Sequence, residues 1–123
     1  MKVLLSIKPE FAEKILDGSK RFEFRKGIFK NRSINTVVIY ATMPLGKVVG
    51  QFSIESILSD APEDLWIKTQ KYAGISKTFF DNYYSGRSTA YAIKVGDVER
   101  FETPLPLSAL GDRIKAPQSY LYL

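Results

Sequence analysis

A change of hydrophobic period at Gly18 constrains the fold of this chain more than any other feature of its sequence. Four apolar residues before it share one helix face: Phe11, Ala12, Ile15 and Leu16. Their spacing predicts a helix over residues 10–17, opened by Pro9 and ended by the glycine. From residue 20 the period is two, so that Phe22 and Phe24 face one way and the charged side chains between them face the other. A helix should therefore lead directly into a strand over residues 20–25.

The rest of the chain alternates between strand and helix patterns. Further strands are predicted at 3–7, 36–42, 48–57, 89–95 with a continuation over 98–101, and 118–123. Further helices are predicted at 62–72 and 76–84. Gly50 allows a bulge or a close backbone approach, and Pro104 and Pro106 should end the fifth strand. At 123 residues the chain suits one domain, 1–123, of the α+β class: a small mixed β-barrel of about five to six strands with flanking helices.

Cysteine and histidine are both absent, which closes much standard enzyme chemistry. Disulfides, thiolate catalysis, a cysteine zinc site and the usual imidazole base are excluded, so we expect no metal and no cofactor. Proton transfer could use only Lys, Glu, Asp, Tyr or hydroxyl groups. No apolar run reaches the roughly 18 to 20 residues that a membrane span needs, and no signal peptide is recognisable. We therefore expect a soluble cytoplasmic protein with no membrane partner, of unknown oligomeric state.

Positive charge is concentrated in the first part of the chain. Residues 1–50 carry ten basic and four acidic side chains, a net of +6, whereas residues 51–123 carry eight basic and nine acidic ones, a net of −1. Six basic residues lie between positions 20 and 32 with one acid among them: Lys20, Arg21, Arg25, Lys26, Lys30 and Arg32. Such a cluster favours a phosphate-bearing partner through counterion release, although a solvated basic surface is the plainer interpretation.

One short charged pattern, Gly-x-Lys-x-x-Glu-x-Arg, occurs here as Gly18, Lys20, Glu23 and Arg25. Four further segments lie around it in the order Lys8-Pro9, Tyr40-Ala41-Thr42-Met43-Pro44, Val48-Val49-Gly50-Gln51-Phe52 and Pro117-Gln118-Ser119-Tyr120. In this order the segments resemble the ASCH domains of the PUA-like superfamily, and the resemblance covers nearly the whole chain. It implies a PUA-like β-barrel linked to RNA or to modified nucleobases, with the signature residues lining a cleft beside the barrel.

The chemistry of the signature can be read from residue types. Lys20 could meet a phosphate or a base carbonyl, or could only complement the dipole of the preceding helix. Glu23 and Arg25 share one strand face. There the Glu23 carboxylate could accept from a base edge while the Arg25 guanidinium donates to it. Alternatively, the two could form a solvent-exposed ion pair worth at most about 1 kcal/mol. Arg21 shares that face but matches no signature position, so we leave it as a phosphate-facing or solvated side chain.

Seven further residues complete the predicted binding set. The resemblance adds Lys8 at the helix entrance and Gln118 and Ser119 in the last segment. Aromatic residues that could stack on an unpaired base, and one neighbouring hydroxyl, supply the rest: Tyr40, Thr42, Tyr84 and Tyr120. Each of the aromatic residues could equally be part of the core, because the chain carries seven Tyr and eight Phe.

Two functional hypotheses of different classes follow, and the first is favoured. In the first, the chain is a binding module for RNA, or for DNA, a nucleoside or a modified base. In the second it is a small hydrolase, because some ASCH proteins are amidohydrolases on acylated cytidine or are reported as nucleases. Those amidohydrolases use a signature lysine to activate a threonine three positions later, where this chain has Glu23. Catalysis would then depend on Lys20 with Glu23 as a base, or on Thr42 as a hydroxyl. A protein-binding surface around Trp66 and Phe79 is a third possibility.

Overall fold

The computed structural model describes residues 1–123, which form six strands and three helices. In chain order these are β1 (Lys2–Ile7), α1 (Pro9–Asp17), β2 (Phe22–Arg25), β3 (Thr36–Ala41), β4 (Lys47–Asp60), α2 (Pro62–Thr69), α3 (Lys77–Tyr83), β5 (Ala90–Leu105) and β6 (Tyr120–Tyr122). Short 3-10 turns follow α2 at Gln70–Tyr72 and β5 at Leu107–Leu110. The predicted α+β class, strand number and flanking helices are confirmed. None of the helices is long and apolar enough to span a bilayer.

All six strands form one curled sheet, a half-barrel, in the order β2-β5-β4-β3-β1-β6. Only β1 and β3 run parallel; every other neighbouring pair is antiparallel. The apolar strand β3 lies inside the sheet between β4 and β1, as its near-continuous hydrophobic sequence predicted. The two edge strands, β2 and β6, are not hydrogen-bonded to each other by their backbones, so the barrel stays open along that seam.

The two long strands, β4 and β5, owe their curvature to bulges. The register between them shifts three times, including at Val48/Gly50. At Gly50 a Cβ atom would lie 2.5 Å from the Glu99 carbonyl oxygen and 2.8 Å from Leu16, so the predicted close backbone approach is present. The prediction that Pro104 ends the fifth strand is wrong, because β5 continues to Leu105. Pro104 is tolerated there since it falls among residues that the bulge leaves out of the register between the two strands.

The junction between α1 and β2 departs slightly from the predicted strand start. Gly18 has φ +88° and donates its N–H to the Ile15 carbonyl, which ends the helix as expected. The strand begins at Phe22 rather than at Lys20, because the two preceding residues use their backbone N–H groups elsewhere. Lys20 donates to the Lys14 carbonyl at 3.0 Å, and Arg21 donates to the Tyr72 carbonyl at 2.9 Å. Lys20 is thereby held at the end of the helix, against the segment that follows α2.

Three hydrophobic clusters hold these elements together. The largest packs α1 against the sheet through residues such as Ile15, Val37 and Phe52. A second cluster packs α2 and α3 against β2 and β5, with Phe24 and Phe80 at its centre. The third lies beneath the segment that follows β5: Leu4, Val38, Tyr40 and Val48. The first two clusters place helices α1 and α3 on either side of β2, and a cleft is left between them.

Candidate functional site

The cleft lies where α1 and α3 meet β2 and the end of β1, and its volume is about 180 Å³. That is at least an order of magnitude more than the roughly 10–15 Å³ that a single water needs. Five polar or charged residues line it: Ser6, Lys8, Lys20, Glu23 and Arg25. Its other walls are apolar or aromatic: Ile7, Phe11, Phe24, Ile75, Phe79 and Tyr83. The three charged positions of the signature thus converge on one concave site.

Lys20 is the most buried charged residue of the chain, with 2% of its surface exposed. Its ammonium donates to the Ala73 carbonyl at 2.6 Å and lies 4.7 Å from the centre of the Phe24 ring and 5.3 Å from that of Phe11. Burial lowers the pKa of Lys20 to about 8; the nearby Glu23 carboxylate opposes the shift and Lys14 adds to it. An ammonium has three N–H donors and only one of them makes a hydrogen bond to an oxygen atom here, so Lys20 can still donate to a further acceptor.

Gly74 shapes the pocket that receives the Lys20 stem. Its φ is +69°, and a Cβ atom there would lie 2.5 to 2.9 Å from three carbons of the Lys20 side chain. Both the backbone conformation and the space therefore require glycine. The Gly74 carbonyl also accepts a hydrogen bond from Lys14 at 3.2 Å. Residues 73 and 74 together position Lys20 from the side opposite to α1.

Glu23 and Arg25 form a buried ion pair in which Arg25 Nη1 lies 3.2 Å from Glu23 Oε2. The exposed fractions of the two side chains are 8% for Glu23 and 14% for Arg25. The alternative prediction from the sequence, a solvent-exposed ion pair, is therefore wrong. Burial raises the pKa of Glu23, whereas Arg25 and Lys20 act in the opposite direction. The cleft thus holds a lysine with a lowered pKa beside a glutamate with a raised one, and shifts of this kind are concentrated at functional sites.

Arg25 also joins the two edges of the open half-barrel. Its guanidinium donates to the Ser119 carbonyl, which immediately precedes edge strand β6, and to the Ser6 carbonyl of β1 at 3.5 Å. Because Arg25 is the last residue of the other edge strand, β2, this side chain bridges the seam that backbone hydrogen bonds leave open. The loop after β2 contributes to the same closure, since the Phe29 and Tyr120 rings meet edge to face at 6.1 Å.

The aromatic walls of the cleft come from two helices. Phe11 of α1 and Phe79 of α3 meet edge to face with ring centres 5.4 Å apart. The exposed Lys8 extends over Phe79, with 5.4 Å between its ammonium and the ring centre. Sequence reasoning missed Ser6, Phe11 and Tyr83 as cleft residues. The helical spacing of residues 79, 80, 83 and 84 marked an aromatic helix, but it did not show which side of that helix meets the cleft.

Tyr84, Tyr40 and Thr42 lie away from the cleft. Tyr84 is buried, and the single proton of its hydroxyl is shared between the carbonyl oxygens of Tyr91, at 2.9 Å, and Arg25, at 3.2 Å, so the side chain stabilises the end of β2 from outside the cleft. Its neighbour Tyr83 lines the cleft instead. Tyr40 is buried in the third core cluster, on the far face of the sheet. Thr42 follows β3 and donates its N–H to the Ile7 carbonyl at 3.0 Å, outside the lining of the cleft.

The C-terminal residues of the predicted set lie at the seam rather than in the cleft. Ser119 contributes its backbone carbonyl to Arg25, Gln118 is exposed, and Tyr120 packs against the largest core cluster. The side chains considered for a protein-binding surface are also apart. Trp66 packs on Phe80, with ring centres 5.0 Å apart, whereas Phe79 lines the cleft.

Comparison with known proteins gives one family. The sequence profile described as the ASCH domain matches residues 5–104. A protein of Zymomonas mobilis named "ASCH domain-containing ribonuclease" is 30% identical over 125 residues, which cover 99% of this chain and 84% of that protein. The large ribosomal subunit protein uL22 of Ureaplasma parvum is 32% identical over 122 residues, which are 98% of this chain. The chain spans only 39% of the length of that ribosomal protein.

Solved structures give the same result. The crystal structure of the ASCH protein from Zymomonas mobilis superposes with a TM-score of 0.90 at 29% identity, covering 99% of this chain and 87% of that one. The N-terminal domain of McrB from Staphylothermus marinus superposes with a TM-score of 0.52 at 14% identity, covering 92% of this chain and 80% of that one. The second similarity concerns the fold alone.

Proposed function

This chain belongs to the ASCH domain family, and from the geometry of its cleft we propose that it acts on RNA by holding one unpaired nucleotide there. The observation that carries the proposal is the convergence of Lys20, Glu23 and Arg25 on a cleft with aromatic walls. The ribonuclease name of the Zymomonas mobilis relative, which this chain matches over most of its length, favours RNA over DNA.

The side chains of the cleft suit an unpaired base and its phosphate. A base held between apolar and aromatic side chains gains about 1 to 3 kcal/mol from stacking, and Phe79 and Tyr83 provide such surfaces. Lys20 can donate to a base carbonyl, and Glu23 can accept from an amino group. Lys8 is exposed at the rim of the cleft, where its charge can neutralise a phosphate. A double helix could not present a base in this way, because its bases are stacked and paired.

Fluorescence anisotropy with a labelled single-stranded RNA tests this binding. We expect the wild-type protein to bind single-stranded RNA in preference to the same sequence as a duplex, with an affinity that falls as salt rises. Lys20→Met, which keeps much of the volume of the side chain, should weaken binding at least tenfold. The matched control is Lys47→Met, on an exposed side chain outside the cleft. Equal affinity of both variants for the RNA would overturn the proposal.

A second candidate, cleavage of the RNA that is bound, is favoured by the opposite pKa shifts in the cleft. With a pKa of about 8, about a tenth of Lys20 is the neutral amine at pH 7 and can accept a proton. Burial raises the pKa of Glu23, so its protonated form is more accessible than that of an exposed glutamate, and that form can donate a proton. Pairs of groups whose surroundings shift their pKa values in opposite directions suit acid and base roles.

The ribose itself supplies the nucleophile in this second candidate, because Thr42 lies outside the cleft. Neutral Lys20 takes the proton of the 2′-hydroxyl, and the O2′ atom attacks the adjacent phosphorus. The bond from phosphorus to O5′ breaks as protonated Glu23 donates its proton to that leaving oxygen. Arg25 neutralises the charge that develops on the phosphate oxygens. The products are a 2′,3′-cyclic phosphate and a free 5′-hydroxyl.

RNA lacking free 2′-hydroxyl groups separates the two candidates. Cleavage would release fragments from ordinary RNA and none from its 2′-O-methyl form, while anisotropy would show binding of both. Glu23→Gln should then bind RNA and fail to cleave it. Release of acetate from N4-acetylcytidine, lost in Lys20→Met, would instead indicate an amidohydrolase. Binding without any turnover in these assays leaves the module hypothesis as the function.

A further inference from the structure

A second depression lies on the other side of the segment that follows α2. Its volume of about 430 Å³ exceeds that of the cleft, and it lies between that segment and strands β4 and β5. Four of its lining residues are basic and one is acidic: Arg21, Lys68, Lys71 and Lys94, with Glu55. We call this depression the basic groove. None of its charged residues occupies a fixed position of the signature that drew attention to the cleft.

The basic groove and the cleft are linked by one short segment of the chain. Lys20 and Arg21 are consecutive; the first lines the cleft and the second lines the groove. Both are hydrogen-bonded to the same short segment, Tyr72 and Ala73. The Lys20 ammonium donates to the Ala73 carbonyl at 2.6 Å, and the Arg21 backbone N–H donates to the Tyr72 carbonyl at 2.9 Å. Consecutive residues just before β2 therefore contribute to the two sites and are held by the carbonyls of two consecutive residues.

The cations of the groove are only partly neutralised. Lys68 pairs with Asp60 at 2.9 Å, and Lys94 pairs with Glu55 at 2.7 Å. Arg21 and Lys71 take part in none of the five salt bridges of the chain. Four basic and two acidic side chains therefore leave an excess of two positive charges, which belong to the two unpaired residues.

These two unpaired cations flank an exposed aromatic ring. The Arg21 guanidinium lies 5.9 Å from the centre of the Tyr72 ring, and the Lys71 ammonium lies 5.5 Å from it. Tyr72 is 43% exposed, so part of its surface is open to a partner. An exposed ring with two cations beside it offers one aromatic surface and two phosphate partners to a single strand. An acidic peptide would need the cations but not the ring.

We propose that the basic groove binds the RNA segment that flanks the nucleotide held in the cleft. Its phosphates meet Arg21 and Lys71, and a flanking base stacks on Tyr72. This inference rests on the proposed RNA function and deepens it, because it makes the substrate a single strand of several nucleotides rather than a free nucleoside. The plot of log affinity against log salt concentration has a negative slope. Removing one cation that neutralises a phosphate reduces the magnitude of that slope by about 0.7.

The test compares a mononucleotide with a single-stranded RNA of about eight nucleotides, a length within the usual site size of such proteins. The double variant Arg21→Ala/Lys71→Ala removes the two unpaired cations, and Lys47→Ala/Lys115→Ala is the matched control at exposed sites outside both depressions. For the longer RNA, the groove variant should lower the salt slope by about 1.4, which is about a sevenfold smaller loss of affinity between 50 and 200 mM salt. Tyr72→Ala should weaken binding of the longer RNA about 5- to 150-fold.

The outcomes separate this inference from the proposed function. If wild-type protein binds the longer RNA but groove and control variants share one salt slope, the groove inference is wrong and the cleft proposal survives. If neither RNA binds wild-type protein at low salt, both are wrong. A third outcome would assign the groove to an acidic protein and overturn the inference. In that outcome, poly-glutamate at equal charge displaces the RNA from wild-type protein, and Tyr72→Ala does not change the affinity for the RNA. The groove inference is supported if Arg21→Ala/Lys71→Ala loses more affinity for the longer RNA than for the mononucleotide.

Discussion

Two glutamate–arginine pairs occupy very different places in this molecule. Glu13 of α1 and Arg100 of β5 meet at the surface through two hydrogen bonds, at 2.8 and 2.9 Å, with about half or more of each side chain exposed. Glu23 and Arg25 meet inside the cleft through one hydrogen bond at 3.2 Å, with 8% and 14% exposed. The hydrogen bond from Arg100 lowers the pKa of Glu13, whereas burial raises that of Glu23.

The comparison shows that burial, rather than pairing geometry, decides what an ion pair does. The surface pair has the better geometry, but solvent screens it and stabilises both ions when they separate. The cleft pair is largely shielded from solvent, so each partner depends on the other, and Arg25 depends also on the carbonyls around it. Four comparisons, each setting a residue in or beside the cleft against a surface residue of the same type, can break or sharpen this contrast.

The largest effect is expected at the arginines. Arg25→Ala leaves Glu23 buried without its partner and removes the hydrogen bonds that bridge the seam, so the free energy of unfolding should fall by about 3 to 5 kcal/mol. Arg100→Ala leaves Glu13 in water and should change stability little. Urea unfolding at pH 7 measures both. Equal losses for the two variants would contradict the contrast.

The next largest effect is expected at two glycines with positive φ. Gly86, at φ +77°, has open space where a Cβ would be, so Gly86→Ala should cost only the conformational strain, about 1 kcal/mol. Gly74→Ala adds a clash with the Lys20 stem and should cost roughly 1 to 3 kcal/mol more. Chemical denaturation measures the difference. A cost no greater than that of Gly86→Ala would show that Lys20 moves aside freely.

The pH dependence of stability separates the lysines. Burial lowers the pKa of Lys20 from its ordinary value of 10.5 to about 8. Between these two pH values the unfolded chain binds more protons than the folded chain, so the free energy of unfolding rises with pH. Between pH 7 and 9.5 this contributes about 2 kcal/mol to the wild-type protein. Lys20→Met should abolish that contribution, and the exposed Lys47→Met should retain it. Urea unfolding curves at pH 7 and 9.5 measure this contribution. An equal change in the free energy of unfolding for the wild type, Lys20→Met and Lys47→Met would contradict the lowered pKa of Lys20.

The smallest effect is a difference in titration between the two glutamates. Carbon-detected NMR of the side-chain carboxyls should find Glu13 titrating below its ordinary value of 4.5 and Glu23 above it. The signs of their contributions to stability are opposite. The contribution of Glu13 is present above pH 4.5 and is lost as pH falls, whereas that of Glu23 is present below pH 4.5 and is lost as pH rises. A Glu23 that titrates with Glu13 would mean that water enters the cleft.

Local patterns predicted most of the elements but few of their ends. The α1 helix, its stop at Gly18 and the apolar β3 strand were predicted because spacing and turn chemistry act over a few residues. The extension of β5 through Pro104 was not, because it depends on a bulge opposite Val48 and Gly50, far away in the sequence. The same limit applied to the cleft, where Tyr84 was predicted and Tyr83 is found, since the facing of a short helix is set by what packs on it.

The sequence alone determined which charged residues would share the site. Gly18 ends the helix, the alternation after it puts Glu23 and Arg25 on one side of a strand, and the signature singled them out with Lys20, because these are relations within eight residues. Only the tertiary structure decided what surrounds them. Ala73 and Gly74 hold Lys20, Ser119 meets Arg25, and Phe79 makes a wall, all from segments more than 50 residues away. Desolvation depends on those distant segments, and desolvation is what shifts the pKa values that distinguish the cleft from the surface.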